Sequence, residues 1–103
     1  MTVVLVNPFT VAPQNERAFL ELWDATNAIF RQAPGYVDAR LHAARADQPM
    51  GMRAPHTHVN VARWESAEAY EAALRDPRIK RLAGDYARVA RLAPALYDVI
   101  RDI

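Results

Sequence analysis

With 103 residues, 51% of them apolar, the chain has material for one hydrophobic core and one domain spanning residues 1–103. Its 13 basic and 12 acidic residues leave a net charge of +1, spread without the basic stripe that a nucleic-acid partner requires. The lack of cysteine excludes disulfides, thiolate metal sites, iron–sulfur clusters and a cysteine nucleophile. No apolar run approaches the ~20 residues of a membrane span, and Met1-Thr-Val-Val-Leu-Val has no basic n-region or cleavage site. The expected location is cytoplasmic, with no membrane partner.

In chain order, Val3 to Phe9 is a β-branched run that predicts a first strand, with Pro8 marking its end or an edge position. Thr10 to Pro13 turns into a helix: Phe19, Leu22, Trp23, Thr26, Ile29 and Phe30 recur at helical spacing, and Pro34-Gly35 stops it. Tyr36 to Ala43 alternates Val37, Ala39 and Leu41 against Asp38, Arg40 and His42, the period of a strand. Ala44 to His56 has no period and holds Pro49, Gly51 and Pro55, which predicts a loop; its Met50 and Met52 make it a candidate lid over a ligand. Thr57 to Trp64 alternates again as a third strand. Ser66 is a good N-cap for a helix burying Ala69, Tyr70, Ala73 and Leu74. Pro77 opens another helix with Ile79, Leu82, Tyr86 and Val89 as its stripe. Ala95 to Ile100 supplies a fourth strand. The order β-α-β-β-α-β predicts the α+β class, ferredoxin-like, with a four-stranded antiparallel sheet. Helices cover one face; the apolar positions of the other predict a homodimer formed through it.

No phosphate-binding loop, dinucleotide fingerprint, nucleophile elbow or HExxH motif is present. His56 and His58 form H-x-H at a loop–strand junction, with His42 on the preceding strand. Three neutral imidazoles can ligate a metal, but no fourth ligand is specified, and solvated or hydrogen-bonded histidines are the simpler reading; no metal is expected. Asn60 sits between Val59 and Val61 in a strand, where a buried amide needs partners. Trp64 lies four residues on, on the same face, and Tyr70 follows on the next helix. An amide, an indole N–H and a phenol converging on a cavity suit an aromatic, oxygenated ligand; the same residues also suit a core in which Trp64 and Tyr70 are only bulk.

The segment Asn60-Val-Ala-Arg-Trp64-Glu-Ser-Ala-Glu-Ala-Tyr70, preceded by Pro34-Gly-Tyr-Val-Asp-Ala-Arg-Leu-His42, resembles the antibiotic biosynthesis monooxygenase (ABM) family. The resemblance implies a dimeric α+β barrel. In a branch similar to the actinorhodin-pathway monooxygenases, Asn60, Trp64, Tyr70 and His42 match an Asn, a Trp, a Tyr and a strand-two His that line the cavity. That branch oxidises anthrone-type polyketides to quinones with O₂ and without metal or flavin. Leu41 stands where it has a second tyrosine, and Ala83 where it has a helical arginine. A haem-degrading branch uses a strand-one Asn, which Asn7 matches, but Ala73 and Ala83 occupy the places of its Trp and axial His, leaving haem iron without a ligand from that motif.

The implied function is a cofactor-independent monooxygenase acting with O₂ on a small aromatic or phenolic substrate of the anthrone or quinol type. Asn60 and Trp64 are its expected donors and His42 its proton acceptor, with Tyr70, Asn7 and His58 as substrate contacts. His42 reaches that cavity only if strands two and three pair in a register such as His42 opposite His58. The alternatives are a non-catalytic or accessory dimeric barrel that binds a small aromatic, a structural dimer with a filled core and, on the poorer match, a haem-degrading enzyme.

Overall fold

The structure, a computed structural model, describes residues 2–103. Strand β1 (Val3–Val11) leads through one 3-10 turn to α1 (Glu16–Phe30). There follow β2 (Tyr36–Ala43), β3 (His58–Trp64), α2 (Ala67–Leu74), α3 (Pro77–Val89), β4 (Ala90–Leu92) and β5 (Ala95–Asp98). The sheet is antiparallel in the order β2-β3-β1, with β4 and β5 sharing the position beyond β1. This is the expected ferredoxin-like α+β arrangement, with five strands filling the four positions.

The fourth position is divided because Pro94 offers no N–H to a ladder. β4 pairs with Phe9–Val11 and β5 with Val3–Val6. Pro8 lies at the gap between them. Its carbonyl accepts from Ala93 N at 3.3 Å, and the N and O of a strand residue point to the same side, so its missing N–H faces the break and not β3. β1 therefore continues through Pro8 to Val11 at the centre of the sheet, where the sequence suggested an end or an edge.

Helix boundaries follow local chemistry. Ser66 Oγ accepts from Ala69 N at 3.1 Å and caps α2. Asp76 Oδ1 accepts from Arg78 N at 2.8 Å and caps α3, with Pro77 as the first helical residue. The Arg78 guanidinium and N–H hold the Asp76 carboxyl down at about 2. Pro34-Gly35 ends the α1 region. Gly35 has φ +88°, and a Cβ there would stand 2.4 Å from Ala69 Cβ, so this glycine both turns the chain and lets α2 close onto it.

Odd-numbered residues of β1 and even-numbered residues of β3 face the helices. Val3, Leu5, Ala62, Trp64 and Ala73 form one buried cluster, and Phe9, Val11 and Phe19 a second. The opposite sheet face carries Val4, Val6, Val59 and Val61, all half-buried, beside Arg40, His42 and the Asp38–Arg63 ion pair. The molecule measures 40 × 37 × 17 Å, with a radius of gyration of 14.4 Å; a rounder domain of this length would have about 13 Å. It is a two-layer slab whose sheet is covered on one side.

Candidate functional site

A cavity of about 230 Å³ lies between the sheet and the helices, walled by Leu5, Phe9, Phe30, Ala62 and Ile79. Polar groups enter at few points: Asn7 from β1, Asn60 from β3, and Trp23, Thr26 and Asn27 from α1. Trp64, Tyr36, Tyr70 and Tyr86 complete it. A larger hollow of about 680 Å³ runs along Gln32–Gly35 and Arg75–Arg78. Its walls are mainly small apolar residues of α1, α2 and the turns after them, with the charges of Glu65, Arg75, Asp76 and Arg78. It gathers no set of neutral polar groups like that of the smaller, aromatic cavity, which is the better ligand site.

Trp64 is 1% exposed. Phe30 and Tyr36 pack edge-on against its ring at 5.4 and 5.5 Å, and Tyr70 lies tilted at 5.5 Å, which fixes the indole in place. Asn60 is 8% exposed, and its Oδ1 accepts from Trp23 Nε1 at 3.3 Å. Asn7 stands directly opposite Asn60 in the β1–β3 ladder. Its Oδ1 is buried without a hydrogen-bond partner among the described residues, an arrangement whose desolvation penalty a ligand donor would relieve.

The α1 contribution was legible only as an apolar stripe. Trp23, Thr26 and Phe30 recur on the face turned to the sheet, and two of the buried residues on this helix are polar. Thr26 Oγ1 donates to Leu22 O at 2.8 Å and lies 3.1 Å from Tyr86 Oη; Asn27 Nδ2 donates to Trp23 O at 3.0 Å. Polar residues on the apolar face of a helix were the available signal.

Every titratable side chain lining the cavity is a phenol. Burial pushes the Tyr70 hydroxyl up. Burial, then the Asp38 charge, does the same to Tyr36. Burial raises Tyr86 to about 12, with the Thr26 hydrogen bond acting in the opposite sense. All three stay protonated at neutral pH and act there as donors, not bases.

His42 is a correction. β2 and β3 pair with Leu41 opposite Asn60 and His42 opposite Val59, one residue away from the register that would have turned His42 inward. The imidazole is exposed on the far face of the sheet, with Nδ1 3.1 Å from Val59 O. It does not meet Asn60, Trp64 or Tyr70. His58 does face the helices, but the start of α1 captures it: Nε2 lies 3.0 Å from Glu16 Oε2 and Nδ1 2.9 Å from Thr57 Oγ1, with the ring 5.0 Å from Phe19. It is not part of the cavity wall.

The Ala44–His56 loop is not a lid on this cavity. It lines a separate hollow with Thr10, Glu16 and His58, and Met50 and Met52 are 96% and 61% exposed. Val37, expected to share a face with Ala39 and Leu41, is displaced by a bulge: Tyr36 lies opposite Trp64 and Asp38 opposite Arg63, with Val37 between them 42% exposed. The bulge is what turns Tyr36 into the cavity. Among the described residues no three His, Asp or Glu side chains gather closely enough to hold a metal ion.

The family model for antibiotic biosynthesis monooxygenases matches residues 2–84. Tetracenomycin-F1 monooxygenase from Streptomyces glaucescens is 34% identical over 97 residues, 92% of this chain and 79% of that protein. Among solved structures, SnoaB from Streptomyces nogalater, a cofactor-independent oxygenase, superposes with a TM-score of 0.81 at 26% identity, covering 99% of this chain and 96% of that one. A protein of Shewanella loihica PV-4 matches with a TM-score of 0.73 at 31% identity, covering 98% and 96%.

Proposed function

The chain belongs to the antibiotic biosynthesis monooxygenase family, and from that premise we propose that it uses O₂, without metal, flavin or haem, to oxidise a flat phenolic substrate of the anthrone or quinol type. The observation that carries this reading is the cavity itself: an aromatic slot whose polar groups are neutral amides, two indoles, a threonine hydroxyl and protonated phenols. Such a lining favours a ring whose negative charge is delocalised over an oxygen, and offers donors to that oxygen without a competing charge.

In this reading an anthrone-type substrate loses one proton of its ring CH₂ to give a delocalised carbanion, stabilised as an oxyanion by Asn60 Nδ2 and the Trp64 N–H. The carbanion passes one electron to O₂, and the radical pair joins to form a C–O bond. Cleavage of the O–O bond with loss of the second proton from that carbon gives a carbonyl, the other oxygen leaving as water. No lining residue is a base at neutral pH, so the first proton leaves by way of solvent or the substrate's own oxygens. In the same reading Tyr70 and Asn7, which both line the cavity, orient the ring.

We also propose that the cytosol is the working compartment and that two copies pair through the valine-bearing sheet face, which this 17 Å slab leaves uncovered. The test of the activity is an oxygen-electrode screen over anthrones and hydroquinones with metal-free protein. One O₂ consumed per quinone formed is expected for an anthrone. A ligand-induced rise in melting temperature without turnover would replace the enzyme by a module that binds small aromatics.

A further inference from the structure

The contact between Trp23 and Asn60 has a direction. An indole N–H donates and never accepts, so the atom that faces it 3.3 Å away is the amide oxygen of Asn60. This chemistry settles the orientation of a group whose two ends are otherwise interchangeable. With Oδ1 tied to α1, the –NH₂ is the end of the amide left for a ligand in the cavity that both residues line. It makes no hydrogen bond to any described residue, and it is not sealed in protein as Asn7 Oδ1 is.

Without the indole tether, rotation about the last side-chain torsion would present oxygen and nitrogen to the cavity with similar ease, because that torsion is broad and two-fold. A reversed amide would set an acceptor against the atom where negative charge grows. We infer that Trp23 is a positioning residue: it fixes which end of the Asn60 amide meets the ligand, and so makes this point of the cavity select an acceptor oxygen. The kinetic consequence rests on the monooxygenase reading; the orientation itself does not.

The chain has two tryptophans, Trp23 and Trp64, so a ¹⁵N spectrum holds two indole signals, assigned by their loss in Trp23→Phe. The expected result is that Asn60→Ala shifts the Trp23 indole proton and speeds its exchange with solvent by about tenfold, leaving the Trp64 signal in place. An unchanged Trp23 signal would overturn the inference. In turnover of a dihydroxyanthrone, Trp23→Phe keeps an aromatic ring, smaller than the indole, and removes the donor. It should lower kcat about five- to tenfold, the weight of one neutral hydrogen bond, with KM within about twofold. In the Asn60→Ala background the same change should add nothing. An equal loss in both backgrounds would mean that Trp23 acts through packing, and would also overturn the inference. Should no anthrone or hydroquinone be turned over, the functional reading falls, and the indole signal still decides the orientation.

Discussion

Replacing Asn60 by alanine separates a catalytic amide from a structural one, because the two roles predict different magnitudes. On the structural side, the variant loses one hydrogen bond with Trp23, a net ~1 kcal/mol, and leaves a part-buried indole N–H to find solvent. The removed amide borders an existing cavity, so little new void is enclosed, and a total of about 1–2 kcal/mol is expected. For a domain of this size that is a fall in Tm of roughly 5–15 °C. On the catalytic side, deletion of one preorganised donor to a developing oxyanion lowers kcat by about 100- to 1000-fold, equivalent to roughly 3–4 kcal/mol. The activity loss therefore exceeds the stability loss. The assay is oxygen uptake with an anthrone at a temperature where circular dichroism shows the variant fully folded. A kcat within about threefold of the parent, accompanied only by the fall in Tm, would refute the catalytic assignment and leave Asn60 as a core amide.

Gly35→Ala should destabilise the fold by at least about 2 kcal/mol in thermal or urea melting, because φ is +88° and the new Cβ meets Ala69; a loss below about 0.5 kcal/mol would contradict the close approach of α2. Ser66→Ala removes the α2 cap and should cost about 1 kcal/mol by the same measurement. Tyr86, raised from 10.0 to about 12 by burial, contributes stability that is fully present below pH 10 and lost as pH rises through 12. Denaturation curves between pH 9 and 12 should fall less steeply for Tyr86→Phe, and an unchanged slope would contradict the burial. Val61→Glu on the uncovered sheet face should convert a dimer to a monomer in sedimentation; a parent chain already monomeric at micromolar concentration would remove the proposed pairing.

The elements themselves were legible along the chain. Helical spacing from Phe19 to Phe30, the breaker at Pro34-Gly35, the cap at Ser66, the helix start at Pro77, and the bounds of β2 all depend on residues within a turn or two of one another, and local torsional and hydrogen-bond preferences decide them. Asn60 and Trp64 share a face for an equally local reason, the two-residue period of one strand. His42 is different. Its side depends on how β2 lies against β3 across the Ala44–His56 connection, and a shift of one residue reverses it; no local preference contains that information. The Val37 bulge is another such case: strict alternation puts Tyr36 with Asp38, and only the paired strand, by opposing Trp64 to Tyr36 and Arg63 to Asp38, turns the phenol inward. Trp23 could be read as one more apolar position of α1 until packing brought its N–H to Asn60, 37 residues away. Torsions and side-chain periods thus placed the groups along the chain, while the pairing of strands and the seating of α1 determined which of them meet, because those depend on contacts between segments that no single segment encodes.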